Sequence, residues 1–308
     1  MARFGINPAR GRSTAYQPAR VTVALLTYIP HLDGYFQNRF EILQLTLASL
    51  VANTKLPYDL LVFDNGSTGK IVDFLHELQK QGTIRYLFLS SENIGKIGAF
   101  ELLFNAAPGE LVAYSDDDIY FYPGWLESHL EILEAFPKVG MVSGAPVRDA
   151  SERASRSLKN LIDAHDTPVR VSYERRIPDE WESDWALSVG RDPKEHLERT
   201  KSCQDIILEN NRVEAFGSAS HFQFLSPRDM IKKALPEIWS GKLMGEMNEL
   251  DEAVDQLGYL RLSTVNRYTR HLGNTISPDL AGEASKLGIG QPGEQRRVSK
   301  QKHWLLSI

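Results

Sequence analysis

The feature that most limits what this chain can fold into is a rhythm in its first half. Short apolar runs alternate there with segments of helical periodicity. Val21–Thr27 is apolar with little alternation, which suits a strand covered on both faces. Arg39–Asn53 follows, with Phe40, Leu43, Leu47 and Leu50 at helical spacing. Residues 59–63 form a second apolar run, closed by the turn cluster Asp64-Asn65-Gly66-Ser67. Residues 70–81 read as a helix with Ile71, Phe74, Leu75 and Leu78 on one face. A strand at 84–89, a helix at 95–106 and a strand at 111–114 complete the rhythm, which ends on Asp116-Asp117-Asp118. Such alternation predicts an α/β fold with a mostly parallel sheet, because right-handed crossovers lay helices on both faces. Ligands bind beyond the carboxyl ends of such strands. The polar clusters fall at those ends: Thr27-Tyr28, Asp64–Ser67, Glu92-Asn93-Ile94-Gly95 and the acidic triplet.

After a helix near 123–136 and a strand at 139–145 the rhythm is lost. Residues 148–212 are charged, contain Trp181 and Trp185, and read as a long insertion with some helix. Regularity returns at 215–225, followed by helices at 227–235 and 246–257 and a strand at 259–262. The expected organisation is a flexible arm over 1–19, halves over 20–145 and 146–276, and a mobile tail over 277–308. A chain of 308 residues is long enough for one large domain or two packed halves. The net charge of −5 argues against nucleic acid or an anionic membrane as the main partner. Cys203 is the only cysteine, so no intrachain disulfide or thiolate cluster can form, and a cytoplasmic setting fits. Neither a signal peptide nor an apolar stretch of the roughly 20 residues that span a membrane is present.

The acidic triplet is the strongest chemical signal. Adjacent carboxylates repel one another unless a cation is near. A solvated turn tolerates that repulsion, but this run lies between an apolar strand and the apolar segment from Ile119 to Trp125. Carboxylates so pinned suit a hard cation. Without cysteine nearby, Mg2+ or Mn2+ is favoured, with substrate phosphates completing the shell.

The chain here resembles the GT-A glycosyltransferases, and among them the family 2-like enzymes. The likeness rests on Leu26-Thr27-Tyr28, Val62-Phe63-Asp64-Asn65-Gly66-Ser67-Thr68, Asn93-Ile94-Gly95-Lys96, and Asp116-Asp117-Asp118 followed by Pro123-Gly124-Trp125. It covers residues 20–145 well and 213–275 more loosely. It implies a nucleoside-diphosphate sugar donor, UDP- or GDP-linked, a carbohydrate or other hydroxyl acceptor, and a Mn2+ or Mg2+ cofactor. Residues 20–145 would then bind the donor, while 146–276 would bind the acceptor and complete the catalytic site. By the same likeness, Thr27, Tyr28, Asp64, Asn93, Lys96, Asp116 and Asp117 contact the donor, with Asp64 accepting from the base. Asp118, Asp116 and His271 hold the metal. A divalent ion there would neutralise the departing diphosphate. Asp64 is also readable as part of an Asx turn with Gly66, and Thr27 as a strand-end hydroxyl.

Inverting relatives carry Glu-Asp at a helix start, about eleven residues before a Gly-Tyr, and that Asp removes the acceptor proton. Counting back from Gly258-Tyr259 puts Glu246 on the Glu but Met247 on the base. Glu249, one turn further on the same face, is the substitute expected beside Glu246. Trp181 and Trp185 are readable as a stacking surface for an acceptor sugar or as core of the insertion. Two rivals remain: a non-catalytic nucleotide-sugar-binding or scaffold protein, favoured by Met247, and a sugar-nucleotide pyrophosphorylase, disfavoured by Thr27-Tyr28-Ile29-Pro30-His31 after the first strand. A dehydrogenase is disfavoured, since no Gly-x-Gly-x-x-Gly follows any strand.

Overall fold

The computed structural model describes residues 4–164, 167–236, 242–243 and 247–289. The rhythm of the first half becomes β1 (Val21–Thr27), α1 (Arg39–Asn53), β2 (Tyr58–Asn65), α2 (Gly69–Lys80), β3 (Tyr86–Ser90), α3 (Lys96–Ala106) and β4 (Leu111–Asp116). A short β5 (Ile119–Phe121), α4 (Trp125–Ala135) and β6 (Val139–Ser143) follow. The charged region then supplies α5 (Arg156–Asp163), β7 (Arg170–Glu174), α6 (Asp179–Ser188), α7 (Pro193–Arg199) and β8 (Asp205–Asn210). β9 (Val213–Phe216), β10 (Gln223–Pro227), α8 (Arg228–Ala234) and α9 (Met247–Gln256) come next. β11 (Leu260–Thr264), β12 (Thr269–His271) and α10 (Pro278–Lys286) close the described chain.

Ten strands form one sheet in the order β3-β2-β1-β4-β10-β6-β11-β9-β8-β7. The first four are mutually parallel, β10 enters antiparallel between β4 and β6, and β11 runs parallel to β6. Alternate residues of each strand feed two cores. Val23, Leu25, Leu60 and Val62 meet the apolar stripes of α1, α2 and α4 on one face. Ala24, Leu26, Leu61 and Phe63 meet Phe100, Phe104, Leu250 and Val254 on the other. Full burial of a Leu or Phe contributes roughly 1.5–3 kcal/mol, so runs apolar on both faces go to the middle of the sheet. The region 148–212, expected as an insertion with some helix, also supplies β7 and β8, which extend the sheet edge. The segment expected as a mobile tail starts as α10, whose Leu280 and Ala284 pack on Ile42 and Leu45 of α1.

The sheet order carries the site. Strand β1 lies between β2 and β4, so chain order reverses there and a crevice opens at the carboxyl ends. Outside the sheet, β12 pairs with β5 and sets His271 opposite Ile119. Leu272 N then donates to Asp118 O at 2.8 Å, which ties a distant part of the sequence to the acidic run. Among the described residues, no helix is long and apolar enough to cross a membrane.

Candidate active site

Register puts Thr27 beside Asp64 and Leu26 beside Asp116, so the ends of β2, β1 and β4 form one polar row. Ser67 N donates to Asp64 Oδ2 at 3.1 Å, so the turn is an Asx turn. Asp64 Oδ1 is buried and has no partner among the described residues. Burial raises the Asp64 pKa above its ordinary value, against the pull of hydrogen bonds from Ser67 and Gly66. Gly66 has φ +91°, and a Cβ there would lie 2.9 Å from the carbonyl carbon of Glu92. Only glycine lets these two loops touch. Asn65 Nδ2 donates to Asn93 Oδ1 at 3.0 Å, and Gly95 N donates to the same oxygen at 2.8 Å. Asn93 thereby fixes the loop that opens α3.

Each member of the acidic triplet is held by a residue from another element. Lys96 Nζ donates to Asp116 Oδ1 and Oδ2 at 2.7 and 2.9 Å, and the Tyr114 hydroxyl bonds the same carboxylate. Thr27 Oγ1 donates to Asp117 Oδ2 at 2.6 Å. Arg39, at the start of α1, donates to Asp117 and, at 2.7 Å, to Asp118 Oδ2. Its Nη1 also donates to Gly273 O at 2.7 Å. Burial works against the Arg39 charge, but Asp117 and Asp118 outweigh it and hold its pKa above the ordinary value. Asp118 is held below its usual range: burial pushes it up, but His271, Arg39 and Lys96 prevail. Asp117 moves the other way, raised by burial and by Asp118 beyond what Arg39 removes. Three carboxylates against two cations leave one net negative charge with His271 neutral.

His271 Nε2 lies 3.4 Å from Asp118 Oδ2, while its Nδ1 is 2.8 Å from Ser188 Oγ of α6. Asp118 Oδ1 is buried without a partner among the described residues. Among the described residues, no group of three or more His, Cys, Asp or Glu side chains forms a ready metal cage. Two donors do fit the way Mg2+ and Mn2+ use few protein ligands and complete their shell with phosphates. Beside His271 lies a cavity lined by Trp181, Trp185, Phe222, Arg267 and Arg270. Asp184 holds both arginines, at 2.6 and 3.1 Å.

Thr27, Lys96, Asp116, Asp117, Asp118 and His271 thus form one cluster, with Asp64 next to it across β1. Tyr28 is half-buried beside the row, edge-on to Phe36. Glu249 is exposed on the first turn of α9, and Glu246 lies outside the described residues. Sequence reasoning passed over Arg39. Its one signal was a cation in a helix first turn, where the helix dipole disfavours positive charge, so that carboxylates were needed nearby.

Residues 36–185 match the model of glycosyl transferase family 2. Over 116 residues the chain is 28% identical to the uncharacterized glycosyltransferase alr2836 of Nostoc sp., covering 38% of this chain and 36% of that protein. It is also 28% identical over 116 residues to the chondroitin synthase of Escherichia coli, covering 37% of this chain and 17% of that one. The matches span well under half the length of these curated relatives. The crystal structure of GalNAc-T7 with UDP, GalNAc and Mn2+ aligns with 82% of this chain and 44% of its own, at a TM-score of 0.50 and 13% identity, a likeness of fold.

Proposed function

We propose that this chain, whose residues 36–185 match glycosyl transferase family 2, acts as a family 2-like glycosyltransferase of the GT-A fold and moves a sugar from UDP or GDP to a hydroxyl of a carbohydrate or other acceptor, with inversion. The observation that carries this reading is the polar row Asp64, Thr27 and Asp116 at the chain reversal, backed by a cluster with one uncompensated negative charge. Asp64 Oδ1, buried and unpartnered among the described residues, accepts from the nucleobase. Thr27 and Tyr28 border the nucleoside. Asn93 shapes the loop whose following helix turns its N-terminus, favourable to anions, towards the diphosphate. Lys96 exchanges part of its bond with Asp116 for a phosphate oxygen, and Asp117 fixes Arg39 and Thr27.

Asp118 Oδ1 and His271 Nε2, with Asp116 alongside, would hold a divalent cation. When bound, Mn2+ or Mg2+ supplies Lewis-acid neutralisation of the leaving diphosphate. An imidazole donor suits Mn2+ better than Mg2+. Trp181 and Trp185, in the cavity next to His271, offer aromatic faces to the acceptor. Glu249 is an exposed carboxylate on the first turn of α9, while Glu246 lies outside the described residues. The single cysteine favours the cytoplasm as the place of action.

A donor panel read by release of nucleoside diphosphate, in Mg2+ and Mn2+ in parallel, tests the reading. Cation-dependent release with a UDP- or GDP-sugar is expected; no release with any donor would contradict it. A second reading, a non-catalytic nucleotide-sugar-binding protein, draws on buried Met247 at the expected base position. Calorimetry showing nucleotide binding without turnover would favour it.

A further inference from the structure

The attack proposed above needs a group that takes the acceptor proton, and Met247 cannot. Resting on that reading, we propose that His221, held by Asp251, is the general base. The argument starts from register. Strand β10 runs antiparallel to β4 with Gln223 opposite Ser115. The pairing continues one step beyond, where Asp116 N donates to Phe222 O at 2.9 Å. His221 therefore comes level with Asp117, at the crevice end of β4. Phe222 turns its ring towards His271, with centroids 5.0 Å apart. His221, the neighbouring residue, meets α9 instead, and its Nδ1 lies 2.9 Å from Asp251 Oδ2.

Asp251 sits one turn inside the start of α9, so the pair lies one turn below the place where a carboxylate base was expected. The same Asp251 oxygen is 2.9 Å from Arg261 Nη2, and that nitrogen donates to Ala219 O at 2.7 Å. A carboxylate only accepts hydrogen bonds, so Nδ1 carries the imidazole proton and Nε2 presents its lone pair. The side chains of Asp251 and Arg261 are 9% and 4% exposed, while that of His221 is 34% exposed. Substrate can reach the imidazole but not the pair that orients it. Lys242 borders the same crevice: its carbonyl oxygen lies 2.5 Å from where a Cβ on Gly95 would be, beside Lys96 and Asp116. Among the described residues, the charged groups near His221 are Asp251 from α9 and Arg261 from β11, with Asp255 acting on Arg261, and the acidic triplet at the end of the neighbouring β4. By contrast, exposed Glu249 has no partner among the described residues that would aim it.

In the step, the acceptor oxygen bonds to the anomeric carbon as the bond from that carbon to the phosphate oxygen breaks. The electron pair leaves with the nucleoside diphosphate. The hydroxyl proton passes to His221 Nε2, and Asp251 stabilises the imidazolium until water takes the proton. His221→Asn, which retains a hydrogen-bonding amide but cannot take up a proton, is the decisive variant. Its kcat should fall on the order of 10²- to 10⁴-fold, with calorimetric donor affinity and melting temperature unchanged. The acid limb of the wild-type pH–rate profile should vanish. Asp251→Asn, read alongside its melting temperature, should displace that limb with a smaller loss of rate. Wild-type kcat in His221→Asn, an unchanged acid limb, or a large loss in Glu249→Gln instead would overturn the assignment. Those results leave glycosyl transfer standing, whereas a wild-type protein that turns over no donor would sink both.

Discussion

The two halves of the molecule handle buried charge in opposite ways. In residues 20–145, like charges are gathered: three adjacent carboxylates share one edge and are neutralised from a distance by Arg39 and Lys96. The buried histidine of that half, His129, has no acid partner among the described residues and sits between Trp125 O and Gln223. In residues 146–276 opposite charges are matched pair by pair. His196 bonds Glu182 at 2.6 Å, His221 bonds Asp251, and Arg148 lies 2.9 Å from Asp179. Gathered like charge leaves a residual attraction for a ligand of opposite sign, whereas matched charge is spent on holding the chain together. In the proposed function the donor binds at the first pattern; the second explains how a charged, irregular segment is fixed to the sheet.

The largest effect should come from removing the cation that holds the gathered acids. Arg39→Met leaves Asp117 and Asp118 buried without their guanidinium, at a cost of about 3–5 kcal/mol in denaturant unfolding. Added Mn2+ should restore part of that loss. A change below 1 kcal/mol would mean that the triplet is not a strained anionic cluster.

Acid should next expose the unmatched histidine. Burial lowers the His129 pKa from 6.5 to about 4, against raising contributions from Gln223 and Trp125. The unfolded chain therefore takes up this proton first as pH falls. The His129 contribution is fully present above about pH 6.5 and is lost as pH falls to about 4. From that shift it is roughly 3 kcal/mol. His129→Leu should flatten this part of the stability profile; an unchanged profile would deny His129 the role.

The smallest effect is expected in the matched half. Arg199 Nη2 donates to His196 Nδ1, so His196 Nε2 donates to Glu182, which also accepts from Arg148 N at 2.9 Å. Glu182→Gln loses the bond to His196 and should cost roughly 2 kcal/mol, with nucleotide affinity unchanged. Weakened nucleotide binding at intact stability would blur the division between the halves.

The same contrast decides what could be read in the sequence. Runs such as Val21–Thr27 are apolar on both faces, so strand, helix and sheet class followed from pattern alone. The polar clusters at their ends then located the crevice. Strand β7 hid because Arg170, Tyr173 and Glu174 are exposed and its pairing with β8 spans a long stretch of chain. Arg39 resembled a surface residue, and His221 was passed over among small neighbours, because their partners Asp118 and Asp251 are non-local. His271 was legible by its place after the last core strand, but its approach to Asp118 depends on β5 pairing with β12, which no local pattern encodes.

The central claim is that the edge of β4 binds a nucleotide diphosphate together with a cation. Calorimetric titration of UDP and GDP into the wild-type protein and Asp118→Ala, with and without Mn2+, tests it most directly. One nucleotide should bind the wild type at least tenfold more tightly with Mn2+, and that gain should disappear in Asp118→Ala. Nucleotide affinity indifferent to both the ion and the substitution would contradict the account.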